Sequence, residues 1–160
     1  MLFRSAAPAK PVTSGQTPEI YLGYERTKNF SSQEKLLRDA QAQYHFPPSL
    51  PSNGWALRGK WKVQSEKAIA REQNAALRLN FKARKVFLVL GTASGKAIQA
   101  TLSLNGKPVG GNAGKDAPGG VITVERNTLY ELIDQQDFQN GLLEIKTDAP
   151  GLEVYAFTFG

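Results

Sequence analysis

An all-β fold of the jelly-roll sandwich type, with about nine or ten strands and at most one short helix, is predicted by three features of this sequence. Apolar residues recur at every second position through most of its 160 residues, the pattern of strands with one dry and one wet face. Glycine, proline and Asn–Gly signals break these runs at short intervals, as turns between strands do. The Cys–Trp–Cys core pattern of immunoglobulin domains is missing, because the chain has no cysteine, and the high strand count favours a jelly roll.

The elements follow in order. Residues 5–16 are rich in Pro, Ala, Ser and Gly without any period, a linker composition. Residues 1–16 are therefore expected as a flexible linker or disordered terminus, and residues 17–160 as the β-sandwich domain. A linker leading into a domain implies something upstream of it. Residues 31–38 are the one helical candidate, capped by Ser31 or Ser32 but barely two turns long. In residues 55–63, Trp55, Leu57, Gly59, Trp61 and Val63 share one face, while Arg58, Lys60 and Lys62 share the other with Ala56. Residues 75–83 repeat the pattern, with Leu77, Leu79 and Phe81 inward and Arg78, Asn80 and Lys82 outward. Residues 85–91 are apolar on both faces and are expected as a central strand buried on both sides.

Residues 98–104 alternate again and run into Asn105–Gly106, a strong hairpin signal because both residues tolerate positive φ. Pro108 marks the return as an edge or non-strand. Residues 110–120 are too glycine-rich for a regular element and read as a surface loop. Residues 121–125 and 129–133 read as short strands, the second with a helical turn as its alternative. Residues 142–147, a turn at 149–151 and residues 152–159 form the last strand pair. There is no internal repeat.

Composition bounds the function. Hydrophobic residues make up 41% and charged residues 21%, as in ordinary globular proteins. No apolar run approaches the ~18 residues of a membrane-spanning helix, and the N-terminus has no apolar core of a secretory signal. Without a thiol the chain cannot exchange disulfides, and its single histidine, His45, has no nucleophile motif around neighbouring Ser49 or Ser52. No catalytic residue, metal site or cofactor is expected. A transition-metal site needs several His or Cys ligands, and a calcium site needs clustered oxygens, for which Asp116 is the only loop candidate.

Binding residues are more in evidence than catalytic ones. The net charge is +6, and Arg58, Lys60, Lys62, Arg78 and Lys82 form a basic stripe if their strands are neighbours. Such a stripe suits an anionic envelope polymer, against the alternative of a solvated face that keeps the domain soluble. Nucleic acid is disfavoured because Trp55, Trp61 and Phe81 fall on the opposite face. For a carbohydrate, Tyr24 with Arg26 on the same side, and Tyr130 flanked by Glu125 and Glu131, are the candidate platforms. Each is weighed against a tyrosine that buries its ring and wets its hydroxyl.

Several segments, in order, resemble the C-terminal β-domain of DipZ-type thiol–disulfide interchange proteins. These are Pro-Glu-x-Tyr-Leu-Gly-Tyr-x-Arg at residues 18–26, Asn29-Phe30, Tyr44-x-Phe-Pro, and Trp55-x-Leu-x-Gly-x-Trp. They continue through residues 81–90 and Val124-Glu-x-x-x-Leu-Tyr-x-Leu132 to the closing run at 150–160. The resemblance implies a carbohydrate-binding-module-like accessory domain that follows a thioredoxin-like domain in an extracytoplasmic protein, with the redox cysteines upstream. A purely structural domain packed on that neighbour is the alternative. Lys82 and residues 112–115 stand where the family pattern often carries histidine, while Gly114 and Asp116 fit the loop.

Overall fold

A computed structural model describes residues 15–160, so nearly all of the expected linker lies outside the described residues. The fold is the predicted all-β sandwich. Its ten strands, all antiparallel where paired, are β1 (Ile20–Tyr21), β2 (Gln41–Tyr44), β3 (Trp55–Val63), β4 (Ala68–Ala70), β5 (Ala76–Thr92), β6 (Ile98–Leu104), β7 (Lys107–Pro108), β8 (Val121–Val124), β9 (Thr128–Thr147) and β10 (Leu152–Phe159).

Two long strands organise the rest. β5 has 17 residues and β9 has 20, and they pair along nearly their whole length. The sequence reads each as two separate strands, because the alternation loses phase in the middle. In β5, Leu77, Leu79, Phe81 and Ala83 are buried, and then Val86, Leu88 and Leu90 are. The parity changes at Arg84, which is skipped in the pairing between Ala83–Gln139 and Lys85–Asp134. The partner strand takes up the slack with residues 135–138, where Gln136 adopts φ 72°. A bulge of this kind bends a ribbon and re-aims its side chains. Buried Gln135 fills the corner, its amide donating to the Ala83 carbonyl at 2.8 Å and the Gln139 carbonyl at 3.0 Å. The Ala83 carbonyl would otherwise be buried without this partner,.

The two halves of the ribbon take different neighbours. The first half of β5 pairs with β3 (Trp55–Leu79, Leu57–Leu77), and the second half with β10 (Leu88–Phe157, Leu90–Val154). β4 bridges β3 to β10, β1 lies outside β10, and β6 with β7 and β8 extends the sheet beyond β9. Residues 85–91 are consequently fully buried on one face; on the other Gly91 is buried but Phe87 and Val89 are only half-buried. The expectation of two-sided burial fails because their apolar outer face carries only partial cover.

β3 changes partner at Gly59, where φ is +94°, a conformation that side-chain-bearing residues rarely adopt. Before it the strand pairs with β5, and after it with β4. The face assignment persists across the kink: Trp55, Leu57, Trp61 and Val63 are all buried, and so is Ala56 on the other face. Both buried indoles find acceptors, Trp55 in Thr27 Oγ1 and the Lys28 carbonyl, Trp61 in the Arg58 carbonyl. This satisfies a donor that burial would otherwise orphan.

The helical candidate at residues 31–38 is not a helix. Phe30 and Arg38 form parallel bridges to Trp55 and Val63, and the Ser32 hydroxyl, expected as a cap, instead exchanges hydrogen bonds with the Leu57 backbone. Two turns are too few to offset the cost of helix nucleation, and the segment's amides find other partners: Ser31 the Trp55 carbonyl, Gln33 the His45 carbonyl and Leu37 the Tyr44 hydroxyl. The Asn105–Gly106 turn forms with φ 56° and 78°, and Pro108 ends the two-residue edge strand β7. The glycine-rich loop is more ordered than its composition suggests. It holds two single 3-10 turns, Gly110–Asn112 and Pro118–Gly120.

Trp55, Leu57, Trp61, Leu77, Leu79, Phe81, Leu88 and Leu90 are buried in one core cluster. Trp61→Ala should therefore cost about 3–5 kcal/mol, as large aromatic truncations do. Urea unfolding of the variant checks this; an unchanged midpoint would mean that the indole is not packed in the folded state.

Candidate recognition groove

The opening and closing segments of the chain meet in space. Ile20 pairs with Phe157 and Tyr21 with Ala156, and the Leu22 amide donates to the Tyr155 carbonyl at 2.9 Å. Beyond them, the amides of Tyr24 and Glu25 donate to the carbonyls of Gln64 and Ser65. Gly23 makes this approach feasible: a Cβ there would lie 2.3 Å from the Glu66 Cα and the Ser65 oxygen. The backbone is thus drawn against the β3–β4 turn, and a concave surface forms beside it.

That surface has two lobes. One, of about 460 Å³, is lined by Tyr21, Gly23, Glu25, Arg26, Ser65, Glu66, Tyr155 and Ala156. The other, of about 390 Å³, is lined by Pro18, Glu19, Ile20, Tyr21, Arg26, Lys28 and Asn29. Both volumes fall in the range of small-molecule sites. Tyr21 and Arg26 belong to both lobes and form the ridge between them. The Arg26 guanidinium lies 3.9 Å from the Tyr21 ring centroid, a stacked cation–π contact. The Tyr21 hydroxyl donates to Glu19 at 2.6 Å; that hydrogen bond, with some burial and the charge of Glu19, pushes the phenol pKa up, against the opposing pull of Arg26.

The wall at Tyr155 rests on a buried polar cluster. Glu153, 5% exposed, accepts from Lys67 Nζ at 2.7 Å and from the Tyr155 hydroxyl at 3.1 Å. The Tyr155 oxygen in turn accepts from the Asn127 amide at 3.0 Å. Burial first, and the hydrogen bond to Glu153 second, raise the Tyr155 pKa. The hydrogen bond to Glu153 raises that of Lys67, outweighing its desolvation. A protonated lysine and a neutral phenol therefore both donate to one carboxylate, which fixes the tyrosine ring.

The sequence-predicted residues are distributed differently from their expected grouping. Arg26 lines the groove but stacks on Tyr21. Tyr24 turns away, its hydroxyl donating to Asp39 at 2.6 Å beneath Arg38. Strand parity missed this because residues 22–26 leave the sheet after Tyr21. Tyr130 is no open platform: it is 8% exposed, within the core, with its hydroxyl donating to the Arg126 carbonyl and accepting from the Glu125 amide. Asp116 is half-buried and binds the loop to β9, accepting from the Glu131 amide at 2.7 Å, while Glu131 accepts from the Lys115 amide at 3.0 Å. Asp116 and Glu125 do line a shallower hollow with exposed Leu129.

The basic stripe breaks into pieces. Arg58 and Arg78 converge on one ring, Phe46, at 5.2 and 4.3 Å, and Arg78 pairs with Glu144 at 2.8 Å. Lys60 and Lys62 lie where β3 has left β5 for β4, and Lys82 sits over Phe138. The strands are neighbours only through Arg58, so the charges do not form one row. His45 is exposed, and its Nδ1 lies 2.5 Å from Glu34. Burial acts to raise the Glu34 pKa, but the hydrogen bonds from the His45 ring and amide outweigh it and the net shift is downward. Among the described residues no cluster of His, Cys, Asp or Glu is arranged to hold a metal ion, and no helix is long and apolar enough to cross a membrane.

The profile of the thioredoxin-like C-terminal domain family matches residues 17–160. Two proteins called DipZ, from Mycobacterium bovis and Mycobacterium tuberculosis, are each 27% identical over 149 residues, covering 90% of this chain. The chain spans only 18% of the length of either relative. Among solved structures, a family two carbohydrate esterase from Clostridium thermocellum in complex with cellohexaose aligns with 59% of this chain and 27% of its own, at a TM-score of 0.48 and 13% identity. One from Cellvibrio japonicus aligns with 58% and 26%, at a TM-score of 0.45 and 8% identity. At such scores the likeness carries no argument about this chain.

Lys67 and Tyr155 hold their protons more tightly folded than unfolded. Their contribution to stability is full below their ordinary values of 10.5 and 10.0 and is lost as pH rises through the folded ones,. Glu153→Gln should lower the urea midpoint near neutrality and flatten its decline at alkaline pH. Parallel profiles for variant and wild type would mean that the cluster does not hold those protons.

Proposed function

The chain belongs to the thioredoxin-like C-terminal domain family, and we propose that it is a non-catalytic recognition domain of an extracytoplasmic thioredoxin-like redox protein. Its role is to hold the redox domain beside a carbohydrate or another envelope component. The observation that carries this reading is the two-lobed groove, built where the first and last segments of the fold pair and walled by Tyr21 and Tyr155. Aromatic rings beside exposed carboxylates and a hydroxyl are what a sugar needs: an apolar ring face with hydrogen-bond acceptors and donors around it. Support for the non-catalytic part comes from chemistry the chain lacks. It has no cysteine, and its one imidazole is engaged with Glu34. The thiol chemistry and the site in the cell envelope belong, in this proposal, to the longer protein.

A second reading has its own support. Gln16, Thr17, Pro18 and Glu19 line a further hollow with Thr158 and Phe159, next to the second lobe, with which it shares Pro18 and Glu19, and to the start of the described residues. A thioredoxin-like domain preceding this one would lie close to that surface and pack on it.

In affinity electrophoresis through gels cast with soluble polysaccharides, the chain should be retarded by at least one, and Tyr155→Ala should abolish the retardation. Normal mobility in every gel would favour the docking role over the recognition role. The purified chain should also fail to accelerate insulin reduction by dithiothreitol; turnover above background would contradict the non-catalytic assignment.

A further inference from the structure

Within the proposed groove, and resting on that reading, we infer that Arg26 is an anion-recognition residue and that the ligand is a carboxylate-bearing sugar of the uronic acid type.

Several of the basic side chains are already engaged. Arg78 is neutralised by Glu144, and Lys67 by Glu153. Arg58 spends a guanidinium nitrogen on the Asn74 carbonyl. Arg26 forms no ion pair among the described residues. It is exposed, it lies in a concavity, and its guanidinium carbon sits over the Tyr21 ring, 3.9 Å from the centroid. An arginine stacked on an aromatic face keeps its in-plane N–H fork open while losing rotamer freedom in advance, and that fork matches a carboxylate in two parallel hydrogen bonds. Position adds to this. Arg26 stands on the ridge shared by both lobes, so a ligand spanning them must pass its edge.

The neighbouring groups select the rest of the ligand. Glu25 and Glu66 line the first lobe together with Arg26. A carboxylate accepts hydrogen bonds and repels other anions. The complement to this lobe is therefore one anionic group flanked by hydroxyl donors. A run of acidic side chains would meet Glu25 and Glu66 with like charge. A uronic acid residue presents one carboxylate on a ring of hydroxyls, and the second lobe, where Pro18 lies beside Tyr21, accommodates the carbon face of the next ring. The +6 net charge helps such an anion approach.

The test uses the full chain, a neutral oligosaccharide ending in a single glucuronic acid residue, and the same oligosaccharide methyl-esterified, which keeps the other hydroxyls but removes the charge. Titration calorimetry at low salt should detect binding of the acid and at least about tenfold weaker binding of the ester, the loss expected for one charge-assisted bidentate contact. Arg26→Gln should lose the acid to the same extent, Arg26→Lys should recover only part of it, and Lys60→Gln in the former stripe should behave as wild type. Added salt should weaken the acid but not the ester. Equal affinity for acid and ester, or unchanged acid binding by Arg26→Gln, would overturn the inference about Arg26 while leaving the groove intact, provided Tyr155→Ala still abolishes binding. Oligoglutamate bound as tightly as the glucuronic acid oligosaccharide would overturn the sugar assignment. No binding of either oligomer would overturn this inference, and the polysaccharide gels would still decide the recognition role separately.

Discussion

The slip in register at Arg84 is the constraint on which the rest of this structure depends. One unpaired residue in β5, facing the excursion at 135–138 in β9, changes which residues of β5 point inward. Without it, Val86, Leu88 and Leu90 would face outward whenever Leu77, Leu79 and Phe81 faced inward, since strand side chains alternate strictly. With it, both halves bury their apolar rows in one cluster. Gln135 anchors the slip by satisfying the carbonyls that it frees.

The groove follows from that bend. The second half of β5 carries β10, and β10 carries β1. Gly160 exchanges backbone hydrogen bonds with Lys85, beside the bend, and on its other side Thr17 donates its amide to the Lys82 carbonyl while its hydroxyl accepts from the Lys82 amide. Both ends of the described fold are thus tied to the corner, so the pairing that builds the groove shares its support with the core. Tyr155 is held by the buried Glu153 carboxylate, which itself has Lys67 as counter-charge. A buried carboxylate without such partners would be strongly unfavourable.

Much of this architecture was legible in the sequence, and the illegible parts have physical reasons. Period-two alternation located β3, β6 and β10 with their observed bounds, and it put Trp55, Leu57, Trp61, Leu77, Leu79 and Phe81 on inward faces, because alternation and burial are two views of one constraint. It divided β5 and β9 in two because a bulge looks like a break when only parity is read. It gave no sign of the two-residue β1 or the three-residue β4, which are too short to show a period. For the site, Arg26 stood out as a charged residue beside aromatic ones, but its partner did not. Stacking on Tyr21 rather than Tyr24 depends on where the backbone leaves the sheet, and Gly23 alone hinted at that. The basic stripe was read from facing alone, whereas its arginines are distributed by Phe46 and Glu144, distant in sequence. Tyr130 looked amphipathic because its neighbours are acidic, yet its hydroxyl is satisfied by adjacent backbone within the core.

The central claim is that groove and core form one cooperative unit joined through the corner. Amide hydrogen exchange tests it most directly, by comparing Leu22, which donates to Tyr155 across the groove, with Thr147, which donates to Ala75 at the far end of the ribbon. The account predicts that both amides exchange only through global unfolding, with the same free energy and the same denaturant dependence. Exchange of Leu22 through a local opening with little denaturant dependence, while Thr147 remains protected, would contradict it.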